Sequence, residues 1–104
     1  MSAVDIGELS DFEQGVPRQL KAGGRTLVGV RVGEQVFVLD DRCSHEEFSL
    51  SEGEVDLETE EIECARHGAM FRLSDGAPMT FPATRPVGHY SVVQRDGRLE
   101  VELP

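Results

Sequence analysis

Alternation of apolar and polar residues, rather than helical periodicity, dominates this chain. Apolar residues alternate over positions 26–32, and after Gly33-Glu34 the chain continues into the apolar run 35–39. Two such runs joined by a two-residue turn that contains glycine predict a β-hairpin. Gly23-Gly24 indicates an earlier turn, and a further strand is predicted before it over residues 18–21.

The C-terminal part of the chain repeats this strand pattern. Tyr90 and Val92, and then the residues 99–103, alternate with polar positions on either side of Asp96-Gly97. An Asp-Gly pair between two alternating segments is a strong hairpin signal. The one candidate for a helical turn is residues 10–13, which is too short to change the assignment, so the sequence predicts an all-β protein.

Two short segments contain both cysteines and two of the three histidines of the chain. The first reads Cys43-Ser44-His45 and the second reads Cys64-Ala65-Arg66-His67. Each segment pairs a thiolate with an imidazole across a gap of one or two residues, so each can act as a chelating loop. Two such loops that meet would form a four-ligand metal site, and the predicted ligands are Cys43, His45, Cys64 and His67.

Other interpretations of these four residues compete with a metal site. A disulfide between Cys43 and Cys64 gives the histidines no role, and a catalytic cysteine gives the second segment no role. Zinc accepts two Cys and two His ligands, although common zinc sites group Cys with Cys and His with His along the chain. A 2Fe-2S cluster in which two histidines replace two cysteines on one iron requires one Cys and one His from each loop. Zinc and the iron-sulfur cluster are the two serious alternatives.

The two segments resemble the C-x-H and C-x-x-H-G boxes of Rieske proteins, specifically the small soluble Rieske-type ferredoxins. Respiratory Rieske proteins add a second cysteine beside each ligand loop, whereas this chain has Ala65 after Cys64 and none in Glu46-Glu47-Phe48. Glu46 and Glu47 also replace the small residue that many relatives have after the first His. The resemblance extends to Leu39-Asp40-Asp41, Leu50-Ser51-Glu52-Gly53, Ile62-Glu63, Phe71, Gly76, the segment 82–87 and a closing strand.

The resemblance implies a fold and a cofactor. The fold is a Rieske-type antiparallel β-sandwich in which residues 1–104 form one domain, and a small cluster-binding subdomain, roughly 41–82, carries the two ligand loops. The cofactor is one [2Fe-2S] cluster per chain, with Cys43 and Cys64 on the inner iron and His45 and His67 on the outer iron.

Several residues near the two boxes carry further expectations. Gly68 is expected to let the backbone turn closely under the cluster, so that an amide points at a sulfide. The segment 76–82, with two prolines and no other support, is expected to cover the cluster. His89 is interpreted as an ordinary, partly exposed side chain outside the ligand set. Packing roles are expected for Met70, Phe71, Met79 and Phe81.

The reduction potential is expected to be low for a Rieske centre. High-potential respiratory relatives have a Ser and a Tyr at the positions of Ala69 and Phe71, and those hydroxyls bond a cluster sulfide and a ligand cysteine. This chain lacks both hydroxyls. A potential around −150 mV, near the low end of the Rieske range, is therefore predicted.

Charge and length restrict the partners. The net charge is −10, and nine of the eighteen residues between the two segments are Asp or Glu, so nucleic acid is not an expected partner. This acidic face either keeps a small protein in solution or docks basic patches of redox partners. No apolar run reaches the length of a membrane span, and Met1–Asp5 has no targeting pattern, so a cytoplasmic location away from membranes is expected.

The resemblance also implies a function, namely electron transfer rather than catalysis. The chain is expected to carry single electrons, as a monomer, from a flavin-dependent ferredoxin reductase to a terminal oxygenase of the aromatic-ring dioxygenase type. One alternative is a Rieske protein associated with iron-sulfur cluster assembly or nitrite reduction. A structural zinc-binding interaction module is the alternative from another class.

Metal analysis of the purified protein separates zinc from iron. We expect two irons and two acid-labile sulfides per chain, together with the low average g value that a reduced Rieske centre gives in electron paramagnetic resonance. Protein from iron-replete cells that contains stoichiometric zinc and absorbs no visible light would contradict the iron-sulfur assignment.

Overall fold

A computed structural model describes residues 2–42, 49–64, 68–80 and 85–104. In these ranges the chain forms β-strands and two 3-10 turns, Leu9–Asp11 and Leu50–Glu52, which confirms the all-β prediction. None of the helical segments in the described ranges is long and apolar enough to cross a membrane. The strands are β1 (Ser2–Glu8), β2 (Arg18–Ala22), β3 (Arg25–Val32), β4 (Gln35–Asp40), β5 (Val55–Asp56), β6 (Glu61–Glu63), β7 (Met70–Arg72), β8 (His89–Tyr90), β9 (Val92–Arg95) and β10 (Arg98–Leu103).

The predicted hairpins are present. Strands β2, β3 and β4 form an antiparallel meander, in which Leu20 faces Leu27 and Val30 faces Phe37. Strands β9 and β10 form the C-terminal hairpin, and both turn residues have positive φ, 53° at Asp96 and 77° at Gly97. Two consecutive positive φ angles are what a type I′ hairpin turn requires, and Asp-Gly adopts them readily.

Strand β1 is a feature that the sequence pattern does not predict. It pairs antiparallel with β10, so that Val4 faces Val101, and its register shifts at a bulge between Asp5 and Gly7. None of its residues is fully buried. The strand therefore depends on pairing with the far end of the chain, which a local alternation pattern does not report.

The strands form three sheets, and the middle sheet is buried on both faces. The sheet orders are β1-β10-β9, β2-β3-β4-β8 and β5-β6-β7. Successive residues of β3 and β4 point to opposite faces, and each face contacts its own hydrophobic cluster. One face contributes Leu27, Val36 and Val38 to a cluster with Phe12, Leu20, Ala22, Leu99, Val101 and Leu103. The other contributes Val28, Val30 and Leu39 to a cluster with Leu50, Ile62, Cys64, Ala69, Phe71, Leu73 and Val87.

The third sheet lies within the predicted subdomain 41–82. Ile62 is its central apolar residue, because it pairs with Val55 on one side and Phe71 on the other. The β5–β6 turn is closed by Asp56, whose carboxylate accepts the amides of residues 58 and 59 at 2.9 and 3.2 Å. Such a side-chain bond to the backbone is a standard way to stabilise a turn. The division of residues 1–104 into one domain with a subdomain stays a prediction.

Two glycines with similar backbone angles allow a test of close packing in this fold. Gly76 and Gly33 have φ of 72° and 65°, but a Cβ at Gly76 would collide with the carbonyl oxygen of Val87, whereas a Cβ at Gly33 meets nothing. Gly33→Ala should cost about 1–2 kcal/mol for the left-handed backbone. Gly76→Ala should cost about 1–3 kcal/mol more because the Val87 backbone must move.

Denaturant unfolding of both variants measures this difference. Equal losses in the free energy of unfolding would contradict the close contact between Gly76 and Val87.

Candidate metal centre

The described residues include one of the four predicted ligands. Cys64 directly follows β6, and its side chain is fully buried in the cluster that also contains Leu50, Ala69 and Phe71. Cys43, His45 and His67 lie outside the described residues. The ligand set as a whole therefore stays a prediction. The described residues around the two segments form the structural framework of the site.

Backbone hydrogen bonds link Cys64, at the start of the second segment, to the residues that follow the segment. The amide of Cys64 donates to the carbonyl of Ala69 at 2.7 Å, and the amide of Gly68 donates to the carbonyl of Cys64 at 2.9 Å. Gly68 has φ of 72°, and a Cβ there would contact only the Glu63 carboxylate, at 3.6 Å. The glycine is therefore required for its left-handed backbone rather than for space. The N–H of Gly68 itself bonds the Cys64 carbonyl, and the expectation that this turn aims an amide at a cluster sulfide stays a prediction.

The first segment is closed at its base by a buried carboxylate. Asp41 Oδ1 accepts the amide of Ser51 at 2.6 Å, and Asp41 Oδ2 accepts the Ser51 hydroxyl at 2.7 Å. Gln19 on β2 donates its side-chain amide to the same Oδ2 at 2.7 Å. Leu50, immediately before Ser51, is fully buried beside Cys64 in the shared hydrophobic cluster. Asp41 and Leu50, on either side of the first segment, are thus attached to the framework around the second segment.

A close backbone contact joins the chain after the first segment to the strand before the second. A Cβ at Gly53 would overlap the carbonyl oxygen of Glu63, so only glycine fits there. One residue further on, the Glu54 carbonyl accepts the amide of Glu63 at 2.8 Å. Gly53 and Glu54 are therefore packed against the strand that leads into Cys64, an arrangement that favours convergence of the two ligand loops.

A third segment runs along β7. The amide of Arg72 donates to the Ala77 carbonyl at 2.9 Å, and the amide of Met79 donates to the Met70 carbonyl at 2.8 Å. The Thr80 hydroxyl accepts the amide of Met70 at 2.9 Å. The expectation that residues 76–82 lack support other than their prolines is therefore wrong for residues 76–80. Pro82 lies outside the described residues.

The packing expectations near the site have mixed outcomes. Phe71 is fully buried, as expected, and Met70 is half-buried. Met79 is 42% exposed and its packing role stays a prediction, and Phe81 lies outside the described residues. His89 is exposed at the start of β8, which is more open than the partly exposed side chain expected.

Acidic residues surround the framework and are largely solvated. Of the acidic residues between the two segments, Glu61 and Glu63 are half-buried, and Glu46 and Glu47 lie outside the described residues. The exposed ones are Glu52, Glu54, Asp56, Glu58 and Glu60. We refer to these five residues as the acidic face.

Several ionisable groups near this framework have shifted pKa values. A hydrogen-bonded ion pair with Arg72, 2.6 Å between Nη2 and Oδ2, lowers the pKa of Asp75 to about 2. The pKa of Tyr90 is raised by burial, and the Asp40 carboxylate, which accepts a hydrogen bond from the Tyr90 hydroxyl, raises it further. Asp75 therefore stays ionised at neutral pH and fixes the turn after β7, while Tyr90 stays neutral and ties β8 to β4.

The donor chemistry of the framework fits an iron-sulfur cluster. Cys64 provides a thiol in a dry, apolar setting, and exclusion of water is a means by which proteins adjust a metal centre. Within residues 2–42, 49–64, 68–80 and 85–104, no group of three or more His, Cys, Asp or Glu side chains could hold a metal ion. That part of the chain therefore offers no rival to the two Cys/His segments.

Signals for part of this framework are present in the sequence. Asp41 stands two residues before Cys43, and Gly53 stands ten residues after Cys43. An aspartate or a glycine at such a position does not by itself indicate a nearby metal site. Their importance becomes visible only when Ser51 and Glu63 are found in contact with them.

Comparisons with known proteins agree with this geometry. The family model for the Rieske [2Fe-2S] domain matches residues 2–91. An anthranilate 1,2-dioxygenase ferredoxin subunit from Burkholderia cepacia is 34% identical over 98 residues, which cover 94% of this chain and 89% of that protein.

Two solved structures extend the likeness to the fold. The ferredoxin of carbazole 1,9a-dioxygenase from Nocardioides aromaticivorans IC177 matches with a TM-score of 0.96 at 32% identity, covering 100% of both chains. A chain in a complex of reduced oxygenase and oxidized ferredoxin in carbazole 1,9a-dioxygenase matches with a TM-score of 0.87 at 33% identity, covering 98% of this chain and 97% of that one.

Substitutions beside Cys64 test the expected low reduction potential. Ala69 and Phe71 are fully buried in the same cluster as Cys64. A hydroxyl that bonds sulfur stabilises the reduced cluster more than the oxidised one, and about 1 kcal/mol of difference corresponds to roughly 40 mV. Ala69→Ser and Phe71→Tyr should therefore each raise the potential by some tens of millivolts, on the order of that conversion.

Voltammetry of the wild type and both variants provides the measurement, and Phe71→Leu is the control because it changes packing without adding a hydroxyl. A wild-type potential above about +100 mV, toward the upper part of the Rieske range, would show that the missing hydroxyls do not control it.

Proposed function

This chain belongs to the Rieske [2Fe-2S] domain family, and from that membership we propose that it passes single electrons from a flavin-dependent ferredoxin reductase to a terminal oxygenase of the aromatic-ring dioxygenase type. The chain carries a [2Fe-2S] cluster and is an electron-transfer protein rather than an enzyme. The observation that carries the pathway is the end-to-end match to ferredoxin components of dioxygenases, in sequence and in fold.

The ligand assignment is part of this proposal. Cys43 and Cys64 would hold one iron, and His45 and His67 would hold the other, as in the family's characteristic cluster. When bound, the cluster supplies one-electron transfer. Cys64 is held in a dry site by its apolar neighbours, and the Gly53–Glu63 contact supports the joint placement of the two segments.

The oxygenase is the partner with the more direct support. A chain in a solved complex of an oxygenase with its ferredoxin resembles this chain over nearly its full length. We infer that this chain docks on a terminal oxygenase through the end that carries the ligand segments. The reductase is supported as a partner only by the resemblance to Rieske-type ferredoxins.

The acidic face supports docking by charge. It borders a groove of about 550 Å³, which is lined by four carboxylate residues and by Val55, Leu57 and Met70. Leu57 is 43% exposed, so the groove offers apolar as well as acidic surface. Such a surface fits a partner that presents basic side chains around apolar ones.

The alternative functions fit the family to different degrees. A structural zinc module does not fit membership in the [2Fe-2S] family. A role in iron-sulfur cluster assembly or nitrite reduction stays a prediction, as do a monomeric state and a cytoplasmic location. The curated and solved relatives described above favour the dioxygenase pathway over these other roles.

Reconstitution tests the pathway. The purified holoprotein is mixed with NADH, a flavin-dependent ferredoxin reductase and the terminal oxygenase of an aromatic-ring dioxygenase system, and product formation is measured. Product that depends on this chain supports the proposal. Cluster reduction by the reductase without any transfer to oxygenases would move the function to another pathway.

Added salt should slow the reduction of the cluster by the reductase. Ions screen the attraction between the acidic face and a basic partner, with a reach of about 10 Å at 0.1 M salt. The observed rate of cluster reduction should therefore fall as salt rises, and stopped-flow absorbance provides that rate.

A variant with Glu54→Gln, Asp56→Asn and Glu58→Gln should be slower at low salt and less sensitive to salt. The matched control replaces Glu8, Glu100 and Glu102, on β1 and β10, by Gln. A wild-type rate that stays flat or rises with salt would remove the docking role of the acidic face.

A further inference from the structure

We propose that Asp41 is a positioning residue, whose buried carboxylate closes the first ligand segment and so holds Cys43 and His45 in one arrangement. The inference rests on the proposed ligand set. Asp41 itself binds no metal in this proposal, since the described hydrogen bonds to its carboxylate come from Gln19 and Ser51.

Burial distinguishes this carboxylate from the other acidic side chains in the described ranges. Asp41 is 5% exposed, and it is the one buried polar or charged side chain in the described ranges. Three donors converge on it at 2.6–2.7 Å, two from Ser51 and one from Gln19. An ionised carboxylate accepts all three at once because it has only acceptor sites.

The position of these bonds gives them a role in the loop. Residues 41 and 51 flank the nine residues 42–50, which contain Cys43 and His45. The Asp41 backbone is fixed to β3, because its amide donates to the Thr26 carbonyl at 3.1 Å. The bond from Ser51 to the Asp41 side chain therefore ties the end of the segment to its beginning, which reduces the conformations open to the residues between them.

The same bonds link the first segment to the second. Ser51 belongs to the 3-10 turn Leu50–Glu52, and the amide of Gly53 closes that turn by donating to the Leu50 carbonyl at 2.9 Å. Gly53 is in turn packed against Glu63, immediately before Cys64. A shift of Ser51 away from Asp41 would therefore alter both the first segment and its contact with the second.

Asp40 provides a matched comparison. It is the neighbouring carboxylate on the chain, and it accepts a hydrogen bond of similar length, 2.7 Å, from the Tyr90 hydroxyl. Its amide bonds the Gly88 carbonyl at 2.8 Å, so its contacts lead to β8 and not to the ligand segments. Loss of the Asp40 bond should weaken the fold without loosening the first segment.

The experiment compares Asp41→Asn with Asp40→Asn in the cluster-loaded protein. An asparagine at 41 places an NH₂ group where a carboxylate oxygen accepts hydrogen bonds, so the arrangement of three donors cannot be kept. We measure iron release to a chelator under native conditions, the free energy of unfolding, and the line widths of the reduced electron paramagnetic resonance spectrum.

Asp41→Asn should release iron about tenfold faster or more, the scale seen when partners of metal ligands are removed, and Asp40→Asn within about twofold of wild type. The resonance lines should broaden in Asp41→Asn alone, because the ligands then sample several arrangements. Equal release rates for the two variants, or broadening in both, would overturn the positioning role and leave Asp41 as a general stabilising residue.

Ser51→Ala covers the case in which Asp41→Asn fails to fold. It removes the hydroxyl bond and keeps the backbone bond to Asp41, so a smaller increase in iron release is expected, and unchanged release would contradict the proposal. Wild-type protein without a [2Fe-2S] cluster would instead refute the proposed ligand set and function, so the two failures are distinguishable.

Discussion

The pairing of β3 with β4 is the contact on which the rest of this structure depends, because that pair is buried on both faces. Leu27 and Val38 point into the cluster shared with the β1-β10-β9 sheet, while Val28 and Leu39 point into the cluster shared with the third sheet. A sheet covered on both sides cannot shift register by one residue without exchanging the two sets of side chains between clusters. The register of β3 and β4 therefore fixes the positions of both outer layers.

This constraint reaches the metal centre through the third layer. Cys64 and Leu50 are buried against the Val28 face, so the start of the second ligand segment and the chain that follows the first are anchored to the centre of the molecule. The Asp41 carboxylate and the Gly53–Glu63 contact add specific bonds at the base of the segments. An electron carrier benefits from such a base, because ligands that keep their positions need little rearrangement when the charge of the cluster changes.

Charge and packing are separated in this protein. The exposed acidic residues lie on the turn and edges of the third sheet, while the interior of that sheet is apolar around Ile62 and Phe71. The surface can therefore carry strong negative charge close to the metal centre without burying unpaired carboxylates. The exception is Asp41, whose three hydrogen bonds compensate for the loss of water around its charge.

The sequence by itself determined the all-β class, the β3–β4 and β9–β10 hairpins, and the family. Alternation over β3 and β4 and the Asp96-Gly97 turn are local signals, and the spacing of Cys43-x-His45 and Cys64-x-x-His67 is chemical, so none of them needs a partner from elsewhere in the chain. Tertiary structure decided the pairing of β1 with β10, the second buried face of the middle sheet, the hydrogen bonds of Asp41 and the close contact of Gly53. The physical reason is that these features arise from contacts with residues that are distant along the chain or on another element. The sequence shows that an aspartate or a glycine is present, but not whether that residue faces water or contacts Ser51 or the Glu63 carbonyl.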